Sequence, residues 1–190
     1  MKKVTIVGVG ALGSHVAYAL RNEAHLKVID FDKVEQKNTL SQFHGKAGVG
    51  ANKTNSMKQA FAFLYGIKLD TVPHRLTEDN VHQLLDGSDL VIDCLDNEAS
   101  RKIVQNHCRA GSIPCLHGAL ALGGTFGRSV WNEQFVIDKE DGPGQATCED
   151  GAFLPFILLV SSFIARSAQE FLKNNKKIGY QIHPNGVICI

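Results

Sequence analysis

The feature that most constrains this chain is the passage from Lys3 to Leu20, where the apolar run KVTIV meets the turn GVGALG and then a helically spaced segment. An unbroken apolar run ending in glycine reads as a strand buried on both faces. Leu12, Val16, Ala19 and Leu20 then recur at helical spacing. Between them, Gly8, Gly10 and Gly13 have the G-x-G-x-x-G pattern. Without a Cβ, the backbone can turn sharply and let a pyrophosphate reach the helix N-terminus. Asp30 ends the next strand, HLKVIDFD, where a carboxylate can accept hydrogen bonds from ribose hydroxyls. On these residues alone an NAD-dependent oxidoreductase is favoured. The bland alternative is that the glycines only allow a helix to pack closely on the sheet.

The alternation continues. Residues 33–50 are polar and contain glycine, so they read as a long loop or broken helix. NKTNSMKQAFAFLYG reads as a helix with Met57, Ala60, Phe61 and Leu64 on one face, stopped by Gly66. IKLDTVPH is a third strand. TEDNVHQLLDG is a short helix with Thr77 as its N-cap and Gly87 at its end. DLVIDCLDN, EASRKIVQNHCRAG and IPCLHGAL follow as strand, helix and strand. This order predicts an α/β fold of Rossmann type, a mostly parallel sheet with helices on both faces. The rhythm then changes. GTFGRSVWNEQFVID predicts one or two extended segments, KEDGPGQATCEDG a loop, residues 152–173 a long helix, and YQIHPNGVICI a hairpin. The length, 190 residues, suits a single domain spanning 1–190.

A net charge of +1 argues against a general nucleic-acid or membrane-surface binder. No signal peptide is evident, and the most apolar stretch, residues 152–165, is too short to span a bilayer and carries Pro155. It predicts a buried helix with a possible share in a subunit contact. Five cysteines, without a CxxC pair, point to a reduced, cytoplasmic protein. A zinc site can be imagined from His107, Cys108, Cys115 and His117, with strand alternation setting Cys115 and His117 on one face, but their spacing fits no common zinc motif.

A dinucleotide fold needs one acidic residue after its second strand, yet DFDKVEQKNTLSQ adds Asp32, Asn38 and Gln42, and Lys53 follows. Polar donors and a cation suit a nucleoside triphosphate. VIDCLDN places Asp93, Asp96 and Asn97 at the carboxyl end of the fourth strand, where ligands sit in this architecture. Asp96 suits Mg²⁺, which binds through one or two carboxylates plus phosphate oxygens. Taken alone, Asn97 is as readily a helix N-cap and Lys53 a solvated lysine.

GVGALGS, DFDKVEQKNTLSQF, VGANKTN, DCLDN and ATCEDGAFLPFILLVSSFIARSAQEFL, in this order, resemble the signatures of the ThiF/MoeB/HesA family in the E1 ubiquitin-activating superfamily. Arg101 and Asn106 fit the same pattern, and the resemblance covers nearly the whole chain. It implies an ATP-dependent adenylyltransferase acting on the C-terminal glycine carboxylate of a ubiquitin-like or sulfur-carrier protein. It further implies a homodimer or a heterodimer with a related subunit. Carried across residue by residue, Gly8, Gly10 and Gly13 line the nucleotide and Asp30 holds the ribose, with Asp32 beside it. Asn38, Gln42 and Lys53 contact phosphates, Leu76 borders the adenine, and Asp96 with Asn97 holds Mg²⁺. Cys148 stands where many relatives carry a thiol that forms a thioester or acyl disulfide.

The chain departs from the pattern in three ways. Ser41 stands where relatives have arginine, with His44, Lys46 or Arg21 as substitutes. The sequence begins at the first strand, without the arginine-bearing helix that precedes it in relatives. The paired CxxC zinc motifs are absent, so the expectation is a minimal, zinc-free member. A partner-dependent or non-catalytic subunit and an NAD-dependent oxidoreductase are the alternatives.

Overall fold

Each apolar run up to Leu120 becomes a parallel strand. The computed structural model describes residues 1–137 and 150–190. In it β1 (Lys3–Val7), β2 (His25–Ile29), β3 (Asp70–Val72), β4 (Leu90–Asp93) and β5 (Cys115–Leu120) run parallel. β6 (Gly127–Trp131), β7 (Tyr180–His183) and β8 (Gly186–Cys189) continue the sheet antiparallel, in the order β3-β2-β1-β4-β5-β6-β7-β8. The helices are α1 (Ala11–Leu20), α2 (Lys53–Tyr65), α3 (Val81–Leu85), α4 (Glu98–Ala110) and α5 (Leu154–Asn174).

Successive residues of a strand point to opposite faces, so the sheet feeds two apolar layers. Val4, Ile6, Leu90 and Ile92 pack with Val16, Met57, Phe61, Ile157 and Ile164, which puts α1, α2 and α5 on one face. Val7, Ile29 and Val91 pack with Val81, Leu85, Val104 and Cys108, which puts α3 and α4 on the other. Right-handed crossovers require this split, because the chain moves one way from β1 to β2 and the other way from β4 to β5. The sheet therefore has its topological switch point between β1 and β4, the usual place for a ligand crevice.

Tertiary contacts moved several expected details. In α1 the buried residue is Ala17, while Ala19 faces solvent. In α2 Met57 and Phe61 are buried but Leu64 is exposed. The expected N-cap Thr77 opens a turn instead, its amide donating to Asn80 Oδ1, and α3 starts four residues later than Thr77. The third strand keeps only Asp70–Val72. Between Gly124 and Phe135 one strand forms, β6. The long helix is amphipathic rather than buried all round: Ile157, Val160 and Ile164 are enclosed, and Leu158 is exposed.

Candidate functional site

β1, β2 and β4 end level with one another, since Val7 lies in register with both Ile29 and Asp93. The helices that follow these strands begin at the same edge, so the N-termini of α1, α2 and α4 gather there. Each presents the positive end of a helix dipole, and side chains cap two of them, Asn52 on α2 and Asn97 on α4. No acidic residue stands in the first turn of α1 or α2. The dipoles of α1 and α2 therefore favour negative charge at this edge, while α4 carries Glu98 in its first turn.

The three glycines of the turn do different things. A Cβ on Gly13 would lie 1.8 Å from the Gly8 carbonyl oxygen, so Gly13 lets α1 pack on the turn. Gly8 has φ +84°, and a Cβ there would stand 2.9 Å from the Cys94 carbonyl oxygen. Both are needed for packing. Gly10 differs: the nearest atom to its added Cβ is Gln42 Nε2, at 4.0 Å. It leaves open space beside the first turn of α1.

Residues 41–44 are laid over that opening by three bonds. Ser41 O pairs with His15 Nε2 at 3.0 Å, Phe43 N donates to Ser14 Oγ at 2.9 Å, and His44 Nε2 meets Val9 O at 3.0 Å. Gln42 and His44 are buried, and Gln42 Oε1 and His44 Nδ1 have no hydrogen-bond partner. Because Val9 O can only accept, His44 Nε2 carries the proton. Burial, together with the nearby charges of Lys53 and His15, lowers the His44 pKa to about 4, against the opposing bond to Val9. Ser41 is buried with its carbonyl engaged.

Asp30 accepts from Val9 N at 2.8 Å and from Asp32 N at 2.9 Å, tying the glycine turn to the end of β2. Burial raises its pKa, against the Lys53 charge and these two amides. Asn52 caps α2 and donates to the carbonyls of Asp30 and Asp32, both at 3.1 Å. This sets Lys53 against Asp32, with Nζ 3.4 Å from Oδ2. Lys53 is buried to 8% exposure while Asp32 is half exposed, so the cation is held in place and reachable from one side. Asn38 is buried within a 3-10 turn, Gln36–Leu40, where its Oδ1 accepts from Glu35 N at 2.8 Å. Leu76 belongs to the second apolar layer with Val7 and Ile29.

Of the three candidates to stand in for the arginine expected at Ser41, only His44 touches the turn. Lys46 is exposed on a separate 3-10 turn. Arg21 lies at the opposite end of α1, about 15 Å along its axis, where it stacks on Tyr18 and Tyr65. Past β4, Asn97 caps α4 through Ser100 N at 2.9 Å, as its bland reading had it. Asp96 is exposed, with Asn97 Nδ2 3.4 Å away.

Asp93 does not line this crevice. It is fully buried, 3.0 Å from Arg101 Nη1 and 2.7 Å from His117 Nδ1. Arg101 also donates to the Leu95 and Gly118 carbonyls, and His117 bonds Asn132 and stacks on Phe135. Burial alone would push the Asp93 carboxyl up, but the Arg101 charge, His117 and the Leu95 amide hold it below its ordinary value. Sequence reading missed this network. The available signal was a charged or polar residue inside two apolar strands, VIDC and CLHG, which demands a buried partner. The network also accounts for Cys115 and His117, which do lie on one face, 3.5 Å apart. His107 turns outward to Asp86, and among the described residues the four imagined zinc ligands do not assemble. Cys148 lies outside the described residues. No helix among them is long and apolar enough to cross a membrane.

Comparison with known proteins gives the family. The profile described as ThiF family matches residues 1–183. SAMP-activating enzyme E1 of Haloferax volcanii is 36% identical over 125 residues, which are 62% of this chain and 45% of that protein. Molybdopterin-synthase adenylyltransferase of Salmonella typhimurium is 29% identical over 180 residues, 90% of this chain and 72% of that protein. The chain thus spans less than half of the first relative. Among solved structures, that of E. coli MccB with ATP superposes with a TM-score of 0.78 at 16% identity, covering 100% of this chain and 62% of that one. This last likeness speaks for the fold.

Proposed function

Since the chain belongs to the ThiF family, we propose that it is an ATP-dependent adenylyltransferase that activates the C-terminal carboxylate of a ubiquitin-like or sulfur-carrier protein. The observation that carries this reading is the convergence of a buried, oriented Lys53 with the N-termini of α1 and α2 beside the open face of Gly10. The names of the two relatives, an adenylyltransferase and an activating E1, support it over an oxidoreductase.

In such a reaction a carboxylate oxygen bonds to the α-phosphorus of ATP, the bond to the bridging oxygen breaks, and pyrophosphate leaves. The nucleophile is already ionised near neutral pH, so no protein base is required. Two anions must be brought together, and the protein contributes positioning and charge neutralisation. Lys53 sets a cation against the phosphates, with Asp32 as its resting partner. The amides that open α1 donate past Gly10. Gln42 and Asn38 supply polar contacts, Leu76 borders the adenine, and Asp30 faces the ribose while fixing the turn through Val9. Gly8 and Gly13 act by letting α1 sit close. Asp96 is exposed and offers hard oxygen donors, which fits Mg²⁺; with Asn97 it would hold the ion, whose charge offsets that of the phosphates. The same reading carries a dimer, with itself or a related subunit, and a cytoplasmic location.

Calorimetric titration of ATP with Mg²⁺, and separately of NAD⁺, tests the proposal. ATP should bind, and binding should be lost in Lys53→Ala and weakened in Asp96→Ala, with the fold unchanged by circular dichroism. Binding of NAD⁺ without ATP would overturn the reading.

A further inference from the structure

Away from the crevice, at the amino edge of the sheet, three metal-ligating side chains converge. His82 lies on α3, Asp86 is the C-cap of that helix, and His107 lies in the last turn of α4. His82 and Asp86 are four residues apart and share one side of the helix. His107 reaches them from the neighbouring helix. His107 Nε2 is 2.8 Å from Asp86 Oδ1, and His82 Nδ1 is 3.8 Å from Asp86 Oδ2. The two imidazoles meet edge to face, with ring centroids 4.6 Å apart and planes at 88°. One ligand atom from each residue falls within 4.8 Å of the other two.

We propose that His82, Asp86 and His107 form a zinc site that fastens α3 to α4. At bond lengths of about 2.0–2.2 Å, tetrahedral ligand atoms stand roughly 3.3 Å apart; the three ligand atoms already lie within 4.8 Å of one another, with His107 on one Asp86 oxygen and His82 nearest the other, so the side chains draw in around the ion. Two imidazoles and one carboxylate are a borderline donor set, suited to zinc and unsuited to Mg²⁺ or Ca²⁺, which take oxygen ligands. The His82 and Asp86 side chains are 73% and 59% exposed, so water can reach the ion and complete its shell, while His107, at 8%, supplies a fixed arm. On binding, His107 exchanges its hydrogen bond to Asp86 for a bond to the metal and the proton on Nε2 is released or moves to Nδ1. The site lies about 15 Å along α4 from Asn97, so its ion is distinct from any Mg²⁺ held by Asp96.

The test is calorimetric titration of zinc into chelator-treated protein without nucleotide, with thermal unfolding in parallel. One ion per chain should bind, and the melting temperature should rise. His82→Ala and His107→Ala should each weaken binding at least tenfold. His82→Ala changes an exposed residue, so its melting temperature without metal should match that of the parent. Cobalt replacing zinc should give a spectrum without a thiolate charge-transfer band. No stoichiometric binding, binding unchanged in both variants, or a thiolate band pointing to a cysteine such as the exposed Cys189 would each overturn the proposal.

Discussion

Arg101 Nη1 stands 3.0 Å from Asp93 Oδ2, and the carboxylate it meets has no exposure to water. The same guanidinium holds the carbonyls of Leu95 and Gly118, so it fixes the segment between β4 and α4 that carries Asp96. Arg101→Met would take the cation from a buried carboxylate, leaving it His117 and the Leu95 amide, and would remove a donor from two carbonyls. Breaking a buried pair from one side costs about 3–5 kcal/mol. Arg101→Lys should recover only part of this, since an ammonium cannot span three acceptors in one plane. Urea unfolding of the two variants measures the difference, and a loss below about 1 kcal/mol in Arg101→Met would contradict the role.

The glycines separate fold from function. Gly13→Ala should unfold the protein or lower its melting point sharply, because the new methyl would have to share space with the Gly8 carbonyl oxygen, 1.8 Å away. Gly10→Ala has room in the fold, with its nearest neighbour 4.0 Å off, and as an N-cap change it should cost about 1 kcal/mol or less. Its methyl stands where a phosphate would approach. ATP affinity should therefore fall at least tenfold while the melting point barely moves. Thermal unfolding alongside calorimetry reads both quantities.

Much of the frame was legible because β1, β2, β4 and β5 are apolar runs bounded by glycine or polar turns, and such runs have few alternatives to a buried parallel strand. The faces of the helices were less so. Ala17 and Ala19 are equally apolar, and only the packing of α5 on α1 decides which is buried. Asp93 read as part of the crevice because it sits at a strand's carboxyl end. Its partner His117 lies opposite it in the β4–β5 register, 24 residues away in sequence, and local pattern does not carry that pairing. Asn38, Gln42 and Lys53 stood out through the order of motifs, not through periodicity. What sequence could not give is the pair of bonds from Asp30 and His44 to the amide and carbonyl of Val9, which bring those loops onto the turn.

Lys53 is buried beside Asp32, and its backbone amide donates to the Asp32 carbonyl at 2.8 Å. The backbone bond positions the helix start, so Lys53→Met should leave the fold in place. Removing one charge-stabilising group from such a centre costs about 100- to 1,000-fold in rate. Once a carrier protein is known, substrate-dependent pyrophosphate exchange should fall by that much in Lys53→Met. Asp96→Ala should abolish exchange without unfolding the chain, and retained exchange in that variant would remove Asp96 from the proposed metal site. Asp32→Asn should weaken ATP binding less, because it loosens the cation without removing it.

His44 makes stability depend on pH. Its folded pKa, about 4, lies below the 6.5 of a free histidine. Between these values the unfolded chain binds a proton that the folded one excludes, so stability falls as pH drops from 6.5 towards 4 and is level outside that window. The full difference is on the order of 3 kcal/mol. The groups facing His44 are Lys53 on α2 and His15 on α1, and His15, whose own pKa is lowered mainly by burial, adds to the slope in the same direction. His44→Gln should lose about 1 kcal/mol at pH 7 through the bond to Val9, yet lose less stability on acidification. The stability curves of parent and variant should therefore cross between pH 6.5 and pH 4. Parallel curves in urea unfolding across that range would mean that His44 takes up its proton without leaving the fold.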